Sequence, residues 1–135
     1  MGLVRVKALF GDVSRRRVKE VLFLADTGAY FPIIPPSLAK EFRIKILAKT
    51  GLTLADKREV EAGVSLAYFK LMDREGIFQI AVMDSPEPIL GVTVFEGLGI
   101  RIDPVTGKLE YSRPYGLSAI YAISGQKLLT TYKSL

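Results

Sequence analysis

Short runs of alternating apolar and polar residues dominate this chain, and they predict strands far more often than helices. "LVRVKALF" (3–10) alternates, "GDVSRRR" turns, and "VKEVLFLA" (18–25) returns, which is the pattern of a β-hairpin. "YFPIIPP" (30–36) holds three prolines, which argue for an edge or irregular extended segment rather than a central strand. "PSLAKEF" (36–42) predicts one short helix, with Ser37 at the N-cap and Glu41 in the first turns. Residues 52–84 hold two further hairpins, one turning near Asp56-Lys57 and one at "DREG" (73–76), where Gly76 can take a positive φ. After the loop "SPEP" (85–88), "VTVFEGLG" (92–99) reads as a second short helix stopped by glycines. "IRIDPVTGKLEY" (100–111) is another hairpin, with Pro104 at the second position of a type I turn and Gly107 at its exit. "SAIYAISGQKLLTTY" (118–132) repeats the pattern around Gly125-Gln126. The sum is a mainly β, barrel-like fold with one or two short helices and no internal repeat.

Composition narrows the class. At 135 residues the chain makes one domain able to bury a core without staples, and 49% hydrophobic against 24% charged residues excludes disorder. That apolar share also points to surface buried in an assembly. No apolar run approaches the roughly 18 residues a spanning helix needs. "MGLVRVKALF" lacks a signal peptide's hydrophobic block, and Val6 stands where a myristoylation signal wants Ser or Thr, so the expected location is cytoplasmic.

Absences narrow it further. Without Cys there is no disulfide, thiol nucleophile or thiolate metal site, and without His there is no imidazole base, Ser-His-Asp triad or zincin motif. Any chemistry must come from carboxylates, Lys, Tyr or hydroxyls. The net charge of +5 raises nucleic acid as a partner. However, the densest basic cluster, "SRRRVK" (14–19), has no interleaved aromatic residues and reads as a solvated hairpin tip, which makes nucleic acid an unlikely partner.

One acidic residue stands out. Asp26 ends an apolar run and is followed at once by Thr27 and Gly28, and a carboxylate there is costly to bury without compensation. By itself the triplet is weak, because an Asx turn closing a strand uses the same residues. It also has a chemical use. The glycine lets backbone N–H groups approach the carboxylate, and the threonine hydroxyl can brace the turn. Two such carboxylates held face to face share one proton, so one acts as base on a water while the other stays protonated. A chain without His and Cys can still perform that hydrolysis.

The ordered set "LFLADTGAYFPIIPPSLAKEF" and, some 60 residues after the triplet, "EPILGVTVFEGLGIRIDPVTGKLE" resembles the retropepsin-like aspartic peptidases, especially their small cellular single-domain members. The resemblance implies the acid-protease half-fold, a closed β-barrel forming a two-fold homodimer. It implies that Asp26 is the catalytic residue, that Thr27 locks the two active-site loops together across the dimer, and that Gly28 and Ala29 line the substrate backbone. Ile89, Leu90 and Gly91 would pack behind the active-site loop. The flap that closes over substrate would be residues 52–62, with its tip at Ala55, Asp56, Lys57 and Arg58. Two departures are visible. The flap tip has no Gly, so a tight primed turn would be costly and a longer loop is the alternative. Val92 follows Gly91 where viral members often carry Arg.

No other aspartate (Asp12, Asp56, Asp73, Asp84 or Asp103) begins a second Asp-Thr/Ser-Gly, so one chain holds half of such a site. The partner of Asp26 is then Asp26 of a second copy. The expected function is an aspartic endopeptidase that needs no metal or organic cofactor and acts on peptide or unfolded protein. Its substrate would bind extended, in a cleft walled by Tyr30, Phe31 and Ile89. The other reading is a catalytically inactive dimeric barrel of the same kind that serves as a protein- or nucleic-acid-binding module. Residues 1–116 are expected to form the domain, and 117–135 a C-terminal β extension that either pairs across the dimer or covers the barrel. Tyr115, Tyr121 and Tyr132 are expected to be packing residues.

Overall fold

The computed structural model describes residues 3–54 and 56–114. Ala55, the 117–135 extension and the three tyrosines named above lie outside the described residues. The chain opens with the hairpin β1 (Val4–Gly11) and β2 (Val18–Ala25), paired from Val4↔Ala25 to Gly11↔Val18. Val6, Ala8 and Phe10 point inward while Arg5 and Lys7 face solvent, as period-2 alternation dictates. Then come β3 (Ile33–Ile34), α1 (Pro36–Glu41), β4 (Ala48–Thr53), β5 (Glu59–Leu71) and β6 (Arg74–Val82). The described chain finishes with β7 (Ile89–Leu90), α2 (Val92–Leu98), β8 (Ile100–Ile102) and β9 (Leu109–Tyr111).

Among the described residues seven strands form one sheet in the order β1-β2-β7-β3-β6-β5-β4, and β8 and β9 form a separate hairpin. β1 pairs additionally with β5, Leu9–Gly11 against Tyr68–Lys70, which bends the sheet back toward its own first strand. Two pairings are parallel, β2 with β7 and β3 with β6. No helix among the described residues is long and apolar enough to cross a membrane.

Three local expectations change. The proline-rich segment is short and irregular, yet β3 lies between β7 and β6 rather than at an edge. Its prolines flank the two paired residues, and Pro32 contributes its carbonyl, which accepts from Ala81 N–H at 2.9 Å, so no ladder donor is lost. Helix α1 is capped at Pro35 with Pro36 as its first residue, which puts Ser37 inside the first turn and Glu41 at the end. In the β5–β6 hairpin Leu71 pairs with Arg74, so Met72 and Asp73 make the turn and Met72 takes the positive φ of 59°. Gly76 instead sits within β6 opposite Phe69. A shorter turn extends the ladder, and Tyr68 O–H donates to Glu75 at 2.6 Å just beyond it.

The core is built around aromatic rings. Phe10 has no exposed surface and meets the rings of Phe42, Phe69 and Phe23 at centroid distances of 5.1, 5.2 and 5.8 Å, each near edge-to-face. Phe42 just follows α1, so this cluster ties the helix to the sheet. Arg74 is the buried cation at the other end. Its guanidinium donates to the carbonyls of Leu98, Gly99 and Arg113 at 3.0, 3.0 and 2.8 Å and lies 4.0 Å from the Tyr111 ring. Those bonds join the end of α2 to the β8–β9 hairpin. Gly99 stops α2 in the left-handed conformation, φ 67°.

Truncation of Phe10 to Ala removes the ring shared by all three contacts. The expected loss is about 3–5 kcal/mol of unfolding free energy, read from urea denaturation. An exposed control such as Leu22→Ala should change the midpoint by a small fraction of that.

Candidate active site

The site begins where β2 ends. Parallel pairing of Leu24 with Ile89 and of Ala25 with Leu90 carries the chain to Asp26, whose N–H donates to the Leu90 carbonyl at 3.1 Å. A tight turn follows, with Ala29 N–H donating to the Asp26 carbonyl at 3.1 Å. The Asp26 carboxylate accepts the Gly28 N–H at 2.8 Å through Oδ1, a backbone hydrogen bond that fixes its orientation. A Cβ on Gly28 would sit 3.0 Å from that same oxygen, close enough to press on the carboxylate that the N–H holds.

The loop is held from behind by α2. The first N–H groups of a helix lack intrahelical partners. Here Val92 and Thr93 donate theirs to the carbonyls of Ala29 and Tyr30, at 2.9 and 3.0 Å. This contact requires Gly91, the helix N-cap, to lie against the loop. A Cβ there would be 2.6 Å from the Phe31 carbonyl carbon and 2.8 Å from the Tyr30 carbonyl oxygen, both backbone atoms that cannot move aside. Leu90 is fully buried beneath this junction, and Ile89 is half-buried beside it.

Asp26 opens into a groove of about 350 Å³. Gly28, Ala29, Tyr30 and Phe31 line it from the loop, and Leu52, Thr53 and Leu54 from the end of β4. Among the described residues Asp26 is the only Asp, Glu, Lys or Arg in that lining. Tyr30 is 65% exposed and rests edge-on against Phe31, centroids 4.8 Å apart. Thr27 faces the other way. It belongs to a second, largely apolar cleft of about 410 Å³ with Val4, Ala25, Val92, Phe95 and Ile102.

The loop between β4 and β5 is longer than a two-residue turn. Leu54 and Arg58 close it, Leu54 N–H donating to the Arg58 carbonyl at 2.8 Å, and Lys57 supplies the positive φ of 68°. A non-glycine residue there costs about 1 kcal/mol. The Asp56 carboxylate accepts from Arg58 N–H at 3.1 Å and from its guanidinium at 2.6 Å; these bonds hold it below the usual carboxylate range.

Asp26, Gly28, Ala29, Tyr30 and Phe31 therefore share one groove, and Leu90 and Gly91 stand behind them. Ile89 is not part of the groove lining, while Ile33, Ala81 and Met83, which sequence reasoning passed over, are. Ile33 pairs with Ala81 across parallel strands distant in sequence, a contact no local pattern reveals. Leu52 and Leu54 were visible as apolar residues at the root of the β4–β5 hairpin. Among the described residues no group of His, Cys, Asp and Glu is arranged to hold a metal ion.

Comparison with known proteins adds an independent line. A family model described as aspartyl protease matches residues 6–94. Among solved structures, the chain is similar to the EIAV protease in complex with the inhibitor HBY-793, with 21% identity and a TM-score of 0.60 over 76% of this chain and 93% of that one. It is also similar to a retropepsin-like aspartic protease from Rickettsia conorii, with 19% identity and a TM-score of 0.54 over 76% of each chain. At such identities the likeness shows the fold. No curated protein sequence matches the chain.

The contact between loop and helix makes a testable demand. Gly91→Ala should cost about 3 kcal/mol or more, because backbone must shift on both sides of the new methyl group. A thermal melt checks this against Gly51→Ala, whose Cβ would meet nothing within 4 Å and should leave the midpoint nearly unchanged.

Proposed function

The chain belongs to the aspartyl protease family, and from that premise we propose that it is an aspartic endopeptidase assembled from two copies. The observation that carries the reading is the placement of Asp26. Among the described residues it is the one charged side chain lining a mostly apolar groove, on a loop bolted to both β7 and α2. The apolar cleft on the Thr27 side supports the dimer. Among the described residues its mouth is apolar: Leu3 is 73% exposed and Val4, Val92 and Ile102 are half-buried, with the buried Phe95 at its base.

In this assembly each barrel closes on itself, and the two Asp26 carboxylates meet on the two-fold axis. Residues 1–116 make up the protease domain, with 117–135 as its β extension. Like charges at that separation cannot both persist, so the pair holds one proton between them. The ionised Asp26 takes a proton from water as that water attacks the scissile carbonyl carbon. The protonated Asp26 gives its proton to the carbonyl oxygen, forming a gem-diol. The C–N bond then breaks as the carboxyl that took the water's proton gives it to the leaving amine and the other carboxylate takes a proton back from a diol hydroxyl. Gly28 N–H keeps its own carboxylate oriented throughout. Substrate lies extended, with side chains alternating between the Tyr30–Phe31 wall and the Leu52–Leu54 segment acting as the flap. The lysine and aspartate at the flap tip lie at its exposed outer end.

Cleavage of a mixed peptide library, read by mass spectrometry from acidic to neutral pH, tests the proposal. Wild type should cleave with a bell-shaped profile, because rate is lost when both carboxylates are protonated and again when both are ionised. Asp26→Asn should lose at least about 10³-fold in rate while remaining folded. A folded wild-type dimer that cleaves nothing, or a mutant that cleaves as well as wild type, would leave the binding module as the better account.

A further inference from the structure

The end of the sheet remote from Asp26 carries a second surface. The β1–β2 turn lies at the opposite end of β2 from the catalytic loop, roughly 25 Å away along an eight-residue strand. It stands beside the segment following α1. Together they enclose a pocket of about 260 Å³, walled mainly by Val13, Ile44, Leu47 and Leu66, with Arg43 and Lys45 in its lining. Val13, Leu47 and Leu66 are 51%, 65% and 43% exposed, and Ile46 adjoins them at 44%.

Charge at this end is mainly basic, although the exposed Glu20 on β2 also stands near it. Glu75 is paired with Arg15 and Glu41 with Lys19, at 3.1 and 2.8 Å. Asp12, the carboxylate in the pocket lining, accepts the Ser14 hydroxyl and the Arg17 N–H, which hold it below the usual carboxylate range. Arg16, Arg43 and Lys45 make no ion pair among the described residues. Arg43 is presented from a left-handed backbone, φ 55°, at the turn that ends α1.

We infer that this pocket is a docking site for an acidic peptide segment of a partner protein. The partner would seat one apolar side chain among Val13, Leu47 and Leu66 and place its carboxylates on Arg43, Lys45 and Arg16. Three observations select that occupant. The surface is concave, which suits a side chain better than a flat lipid surface. Its lining contains no aromatic ring to stack a base, so nucleic acid fits poorly. Residues 115–135 of this chain contain two lysines and no Asp or Glu, so they lack the complementary charge. The inference does not depend on the proteolytic reading, since the pocket shares no residue with the groove at Asp26.

The test is fluorescence anisotropy with a labelled peptide carrying one leucine flanked on both sides by glutamates. It should bind the full-length protein, weaken as salt rises, and bind Asp26→Asn as well as wild type. The double variant Arg43→Glu/Lys45→Glu, shown to be folded by circular dichroism, should weaken binding by about tenfold or more. Leu47→Ser, or a peptide with serine in place of leucine, should also weaken it. No binding, or binding indifferent to these changes, would overturn the proposal. So would phosphatidylserine vesicles or an oligonucleotide binding through Arg43 and Lys45 when the peptide does not.

Discussion

Everything at the candidate site depends on the contact between the Asp26 loop and the start of α2. The loop carbonyls of Ala29 and Tyr30 satisfy the otherwise orphaned N–H groups of Val92 and Thr93, and Asp26 N–H is satisfied in turn by Leu90. Neither partner could approach the other if residue 91 had a side chain. One missing methyl group therefore couples the Asp26 loop, a parallel strand pair and a helix. The same contact divides the surface in two. Asp26 faces a groove of about 350 Å³, and Thr27 faces a largely apolar cleft of about 410 Å³.

The rest of the fold serves to hold that junction rigid. The Phe10 cluster fixes the β1–β2 hairpin against β5 and α1, and β2 then delivers its last residue to the loop without slack. Arg74 anchors the other end of α2 through three carbonyls, so the helix is held both where it meets the loop and where it stops. All three carbonyls gather around one guanidinium nitrogen, Nη1 of Arg74, while the group lies over the Tyr111 ring.

Much of this was legible in the sequence where information is local. Alternation located β1, β2 and the β8–β9 hairpin, and Gly99 marked the end of α2. The Asp26-Thr27-Gly28 and Ile89-Leu90-Gly91 segments marked the two halves of the junction, and the family match extends across both. What sequence could not show was non-local. The placement of β3 inside the sheet depends on pairing with Ala81 and Val82, far along the chain. Met72 took the turn expected near Gly76 because the β5–β6 ladder continues to Leu71 and Arg74, so register outweighed glycine preference. Lys57 likewise adopts a positive φ that composition assigns to glycine, within a loop closed by Leu54 and Arg58 and by the Asp56 carboxylate.

Whether an active site needs Asp26 from two chains is decided by mixing subunits. Wild type and Asp26→Asn are unfolded together, refolded at equal concentration, and assayed on a cleaved peptide. If both carboxylates are required, only dimers of two wild-type chains are active, and the mixture should show about one quarter of the activity of the same total wild-type protein. Activity of about one half would mean that each chain works alone, and would contradict the account.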